Sequence, residues 1–379
     1  IRMKPRIFLS YVDMGGTEKQ WVDEAFRSEW IVPLGPNVDE FEYRLEKYLG
    51  APSVVALSAG TAAIHLGLVA AGVETGDEVI CQSFTFAASA NPVVYQGARP
   101  VFVDSEPDSW NMSPELLEEA IVDRKCKTGR YPKAIIPVHL YGMPAKMDEI
   151  MSVANKYGIT VVEDAAEALG SEYKGVKCGL FGKYGCLSFN GNKIITTSGG
   201  GALICHTKEE ADRVKFYATQ AREARPYYYH EVIGYNYRLS NVCAGIGCGQ
   251  MDVLDEHIER RRANHKFYTE AFAGIDGLSV QQNPGPDYDS NFWLSTVIID
   301  PATGKDPETA RQFMADALIE TRRLWRPMHM QPVYKDAPYY GGHCCESLFD
   351  KGLCLPSGSN LSDDDLQCVA DVLIAYMKK

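Results

Sequence analysis

Between about residues 50 and 205, short β-rich runs alternate with helical patterns, and this alternation restricts the possible folds more than any other feature of the chain. Ser53–Leu57 reads as a strand and 61–71 as a helix of small residues, followed by a strand at 78–81 and a helix at about 85–95. Arg99–Val103 is a third strand. Ser113, Pro114 and Glu115 then open a helix with a capping hydroxyl and a proline in its first turn. Runs at 134–138, 160–163 and 186–189 continue the series. Strands joined by helical crossovers imply an α/β fold with a mostly parallel central sheet and helices on both faces. Such sheets bind ligands beyond the carboxyl ends of their strands, so the residues just past each strand carry the functional expectation.

The remainder predicts a second, smaller unit. A helical stretch over 240–272 closes the first part, a strand follows at 291–299, a helix at 307–319, and a last helix at 361–377. The expected division is a large domain over 1–265, with an N-terminal arm, and a small α+β domain over 266–379, a size that suits 379 residues. A net charge of −12 argues against a nucleic-acid groove or an anionic membrane surface as partner. No run approaches the roughly 18 apolar residues of a membrane span. Ile1-Arg2-Met3-Lys4-Pro5 lacks the apolar core of a leader, and Met3 reads as the natural start. Eleven cysteines, an odd number without a C-x-x-C pair, point to reduced thiols and a cytoplasmic location. His343-Cys344-Cys345 has no second pair with which to close a tetrahedral metal site.

Three features sit where chemistry is expected. Ser58-Ala59-Gly60-Thr61 follows a strand and opens a helix, so free helix-start N–H groups and a hydroxyl form an anion cradle. Glu163-Asp164 ends an apolar strand in two carboxylates, suited to a cationic ring nitrogen, a metal or a helix cap. Ser188-Phe189-Asn190-Gly191-Asn192-Lys193 carries a lone lysine past a strand, in a loop that continues to Gly199-Gly200-Gly201. A desolvated lysine there can form a Schiff base. In this order, a phosphate cradle, a carboxylate for a ring nitrogen and an amine for an aldehyde are the requirements of pyridoxal phosphate, with Phe86 available to stack on the ring. Gly245-Ile246-Gly247-Cys248-Gly249 echoes a dinucleotide loop. No strand precedes it, so close helix packing is expected and a nicotinamide dehydrogenase is disfavoured. Glu259-Arg260-Arg261-Arg262 reads as a solvated helix face, and Tyr227-Tyr228-Tyr229-His230 as a loop near an interface.

With these residues in place, the chain resembles the DegT/DnrJ/EryC1/StrS sugar aminotransferases. The likeness runs from Leu34-Gly35-Pro36 through Ser58-Ala59-Gly60-Thr61, Pro137-Val138-His139-Leu140-Tyr141-Gly142 and Glu163-Asp164-Ala165-Ala166 to Gly234-Tyr235-Asn236-Tyr237-Arg238. The Lys193 loop, Leu324-Trp325-Arg326-Pro327-Met328-His329 and Leu353-Cys354-Leu355-Pro356-Ser357-Gly358 resemble the subgroup that builds UDP-N-acetylbacillosamine. The resemblance implies PLP fold type I, like aspartate aminotransferase, and a homodimer with shared active sites. It implies Lys193 as the cofactor lysine and Asp164 as partner of the ring nitrogen. Gly60, Thr61 and Ser188 become phosphate contacts, Phe86 the ring cover, and Asn236 a phosphate contact across the dimer. Glu167 becomes a further cofactor contact, at a position where relatives often carry Gln or His, and Arg323 stands where they often carry Pro. Relatives that act as dehydratases have His in place of the lysine, so Lys193 implies transamination. The implied substrates are L-glutamate and UDP-4-keto-6-deoxy-N-acetylglucosamine, with a GDP-4-keto or 3-keto sugar, or a non-catalytic binding protein, as alternatives. Arg238, Arg322 and Arg326 are the expected diphosphate ligands, because guanidinium forks match phosphate oxygens. Trp325 and His329 are the further substrate candidates.

Overall fold

The computed structural model describes residues 6–379, so the expectation for Met3 lies outside the described residues. The strands, in chain order, are β1 (Ser53–Leu57), β2 (Glu78–Gln82), β3 (Arg99–Val103), β4 (Ala134–Ile136), β5 (Thr160–Asp164), β6 (Glu172–Tyr173), β7 (Val176–Lys177), β8 (Tyr184–Ser188) and β9 (Gly201–Cys205). Six short strands follow: β10 (Leu278–Val280), β11 (Tyr288–Asp289), β12 (Ser295–Ile299), β13 (Arg322–Arg323), β14 (Tyr339–Tyr340) and β15 (Gly352–Leu355). The main sheet has the order β1-β9-β8-β5-β4-β2-β3-β14. It is parallel from β8 to β14, and only β9 runs antiparallel, to β1 and β8. The reversal of β9 closes the segment between Ser188 and Gly201 into a loop over one end of the sheet.

The first four helices are α1 (Glu18–Arg27), α2 (Pro36–Leu49), α3 (Gly60–Ala70) and α4 (Ala87–Tyr95), of which α3 opens directly after β1. Helix α3 is buried over most of its length because its residues are small. A Cβ on Gly67 would stand 2.9 Å from Val162 Cγ1. Ser113 caps the helix Pro114–Thr128 by accepting from Leu116 N–H at 3.3 Å, as its sequence signature predicts.

The C-terminal part builds a four-stranded antiparallel sheet, β10-β12-β15-β13, with an apolar cluster of its own around Val297, Met314, Leu353, Val369 and Leu373. β14 leaves it to pair with β3 at the edge of the main sheet. Among the described residues no helix is long and apolar enough to cross a membrane. All eleven cysteines are unpaired.

Three expectations are corrected. The stretch 240–272 is two helices, Asn241–Met251 and Leu254–Ala271, because Val253 leaves helical geometry (φ −120°, ψ 8°). The strand expected at 291–299 begins only at Ser295. Asn291 instead uses its side chain to bind the carbonyls of Glu167 and Leu169 and the Trp293 N–H. Arg261 is not on a solvated face. It is buried, and donates to the carbonyl oxygens of Trp293 (2.6 Å) and Ser357 (3.3 Å) and to Ser10 Oγ (3.1 Å). The glycines of 245–249 face neighbouring helices: a Cβ would meet Asn37 at Gly245, the Phe41 ring at Gly247 and the backbone of Glu18 at Gly249.

Candidate active site

The carboxyl ends of β1, β5 and β8 and the loop before β9 enclose a cavity of about 310 Å³. It is lined by Ser58, Gly60, Thr61, Phe86, Asp164, Glu167, Ser188, Lys193, Gly200, Trp293 and Trp325, among others. One wall is the start of α3. Its cap position, Ala59, offers no side-chain acceptor, so the first N–H groups of the helix are left for an anion. Closeness here demands glycine. A Cβ on Gly60 would lie 2.8 Å from Ser188 Cβ, and one on Gly201 would lie 2.5 Å from Gly60 N. A flat backbone pocket with hydroxyls from Ser58, Thr61 and Ser188 is the result.

Strand alternation separates the two carboxylates at the end of β5. Glu163 points away and is fully spent. It binds His139 Nε2 (2.9 Å) and the N–H groups of Gly179 (2.9 Å) and Gly182 (2.5 Å). Ala145 N–H donates to His139 Nδ1 at 3.0 Å, so the imidazole proton sits on Nε2 and is given to Glu163. Asp164 points into the cavity. No helix follows it; Oδ1 takes Ala166 N–H (3.1 Å) and Oδ2 takes Ser89 Oγ–H (2.5 Å), which is itself bonded to Thr85 Oγ1 (2.7 Å). Buried hydroxyls fix the carboxylate and leave it acceptor-only, the state that a protonated ring nitrogen requires.

Lys193 reaches the cavity from the loop between β8 and β9. Its side chain is 14% exposed. Nζ lies 3.5 Å from Glu167 Oε1 and 4.1 Å from the centroid of the Trp293 ring. Trp293 in turn donates its indole N–H to the Asn192 carbonyl (2.8 Å), which also accepts from Ser10 Oγ (2.8 Å). Glu167 is anchored by its other oxygen to Tyr141 N–H (2.7 Å), presented by a Tyr141 backbone at φ +57°. Burial pushes the Glu167 carboxyl up, against the pull of Lys193 and the Tyr141 N–H. Phe86 is 57% exposed at the mouth, with its ring centroid 5.7 Å from that of Trp325.

The structure therefore brings together Gly60, Thr61, Phe86, Asp164, Glu167, Ser188, Lys193 and Trp325. It does not bring Asn236, Arg238, Arg322, Arg326 or His329 to the cavity lining. Asn236 is exposed in a separate depression with Arg238, Arg222 and Leu34. Arg238 is committed to Glu42 Oε1 (2.6 Å) and the Ala56 carbonyl (2.9 Å). Arg322 pairs with Glu320 on an open face, and Arg326 is exposed. His329 spends both ring nitrogens on Ser83 (2.7 Å) and Glu346 (3.0 Å) and stacks on Tyr339. Sequence reasoning missed Ser89, Thr85, Tyr141 and Trp293. The position of Ser89, three residues after Phe86 on the helix that follows the ring-cover candidate, was the one available signal.

The cavity fits pyridoxal phosphate: a backbone cradle that a Cβ would fill suits the phosphate, an oriented carboxylate the ring nitrogen, and a buried amine the aldehyde. Comparison with known proteins agrees. Residues 12–374 match the model of the DegT/DnrJ/EryC1/StrS aminotransferase family. The chain is 48% identical to EpsN of Bacillus subtilis (strain 168) over 98% of this chain and 96% of that protein. It is 37% identical to GDP-perosamine synthase of Escherichia coli O157:H7 over 93% of each chain. Spr1654 of Streptococcus pneumoniae, solved in its PLP form, superposes with a TM-score of 0.89 at 26% identity and covers 99% of each chain. With this cavity, this sheet order and these relatives, the chain belongs to the DegT/DnrJ/EryC1/StrS aminotransferase family and is a pyridoxal phosphate-dependent sugar aminotransferase of PLP fold type I.

Proposed function

We propose that this enzyme moves the amino group of L-glutamate to C4 of UDP-4-keto-6-deoxy-N-acetylglucosamine, with Lys193 as the cofactor lysine and Asp164 as partner of the ring nitrogen. The observation that carries the reading is the shared cavity of Lys193, Asp164 and the Gly60–Ser188 cradle. When bound, the cofactor supplies the aldehyde that takes up the amino group and a ring that accepts the electrons of the broken C–H bond. Lys193 Nζ would take the proton from the α-carbon of glutamate as a base and give it up again as an acid, and for the sugar the same residue would serve in the reverse order. Asp164, held by Ser89, would face the ring nitrogen and favour its protonated form. Gly60, Thr61 and Ser188 would hold the phosphate, and Phe86 and Trp325 would screen the ring from water.

The nucleotide is assigned to the region of Trp325, Arg326 and His329, with Arg322 and Arg238 as further cations for the diphosphate. Asn236 is assigned to the cavity of a second copy. Support comes from its exposure in one depression with the exposed Leu34, and from further exposed apolar side chains, Ile31, Tyr228 and Ile233, which a homodimer would cover. The unpaired cysteines support a cytoplasmic site of action. A second reading, a GDP-linked 4-keto sugar, is favoured by the identity to GDP-perosamine synthase.

The test is to incubate the pyridoxamine-phosphate form with a panel of UDP- and GDP-linked keto-sugars and to identify the amino sugars formed. A higher kcat/KM for the UDP-4-keto sugar is expected. Preference for the GDP sugar would overturn the UDP assignment and leave the transaminase intact. For the dimer, mixing Lys193→Ala with Asn236→Ala subunits should partly restore activity. Mixed dimers that stay inactive would return Asn236 to its own subunit's site.

A further inference from the structure

Glu167 is the cavity carboxylate that pairs with Lys193, and its surroundings are specific. The carboxylate is buried, with 7% of the residue exposed. One oxygen is pinned by Tyr141 N–H at 2.7 Å, which leaves Oε1 directed to Lys193 Nζ at 3.5 Å. Nζ also lies over the face of Trp293, 4.1 Å from the ring centroid, so the amine contacts both an anion and a π-face. Asn291 holds the same turn by donating to the Glu167 carbonyl at 3.0 Å. The side chain therefore has little freedom to swing away from the amine. The other titratable groups near the carboxylate are Asp164, which shares the cavity, the Tyr141 hydroxyl, which accepts from Trp325 N–H, and the buried Cys354 thiol.

We propose that Glu167 is a positioning residue that acts through Lys193: its fixed carboxylate and the Trp293 face together hold positive charge on Nζ inside the cavity. The inference rests on Lys193 being the cofactor lysine. A neutral Gln at this position would orient Nζ by hydrogen bonding. It would favour the charged form much less than a carboxylate does. A carboxylate does both, and burial strengthens the effect because little water screens the pair. The sign is fixed by the geometry. Removing the negative charge while keeping the shape makes a neutral Nζ more abundant at any given pH. The same holds for a proton on the nitrogen when Lys193 is bonded to the cofactor, so both forms of the enzyme report on one residue.

The experiment uses the loaded enzyme as wild type, Glu167→Gln and Glu167→Asp. In the pyridoxamine-phosphate form, where Lys193 is free, cyanate labels neutral amines, and peptide mass mapping reads Lys193 against the surface residue Lys183. Glu167→Gln should label Lys193 about tenfold faster at neutral pH, the equivalent of one unit of proton affinity, while Lys183 is unchanged. In the pyridoxal-phosphate form, the visible-absorption pH transition of Glu167→Gln should move down by about one unit, and Glu167→Asp should recover part of that shift. Unchanged labelling of Lys193 and an unmoved transition in Glu167→Gln would overturn the proposal, as would a Glu167→Asp variant that matches Gln in both. Borohydride fixation separates the two assignments. Cofactor fixed to another lysine sinks the role of Lys193, and the cyanate arm still judges the Glu167–Lys193 pair.

Discussion

The chain carries two glycine clusters that look alike on paper, Gly199, Gly200 and Gly201 at the start of β9 and Gly245, Gly247 and Gly249 in a helix. In the structure they serve opposite ends. In the first, Gly201 brings backbone to backbone beside the ligand space: a Cβ on it would strike Gly60 N and the Ala59 carbonyl at 2.5 Å, at the cradle itself, whereas one on Gly200 would meet the Thr197 side chain and Gly199 has open space. The second removes space, letting the helix Asn241–Met251 press against α1 and α2 until Phe41 and Glu18 touch its axis. The lesson is that glycine marks close approach, and what approaches is decided by the neighbours.

Substitutions around the two clusters test that distinction. The largest effect is expected from Lys193→Ala, which should cut turnover by more than about 10⁴-fold, the upper range for a lost acid–base group, and abolish the yellow colour. Denaturant unfolding should change little; a collapse of stability instead would mean that the cavity side is also a packing site. Next comes Asp164→Asn, expected to lower kcat by about 10²–10³-fold while some cofactor still binds, as read by absorbance titration. A near-normal kcat would point to another group on the ring nitrogen. Gly201→Ala should weaken cofactor affinity by at least about tenfold, because its methyl group lands on backbone atoms that cannot rotate away. Gly247→Ala is the counterpart. It should cost about 1–3 kcal/mol of stability from the clash with Phe41 and leave the cofactor affinity of the folded enzyme unchanged. Equal loss of cofactor affinity in both alanine variants would erase the difference between the clusters.

Much of the cavity was legible because ligand sites of α/β sheets lie past strand ends, and Gly60, Asp164, Ser188 and Lys193 occupy such positions. Arg261 was not legible. Three consecutive arginines on a helix look solvated, yet the middle one turns inward and satisfies carbonyls left over by the Trp293 and Ser357 segments. Arg238 stands in a related position: a guanidinium that suits phosphate suits a buried carboxylate equally well, and in this structure Glu42 holds it.

By itself the sequence determined the order of strands and crossover helices, the residues at the strand ends and the chemistry those residues share, since periodicity and local caps are short-range properties. Only the tertiary structure decided that β9 runs backwards and so carries Lys193 over the cradle. It alone divided the two carboxylates of β5 between His139 and the cavity and set Glu167 beside Lys193. These outcomes depend on pairings between residues far apart in the chain, where packing and hydrogen-bond satisfaction choose among partners that local sequence leaves equivalent.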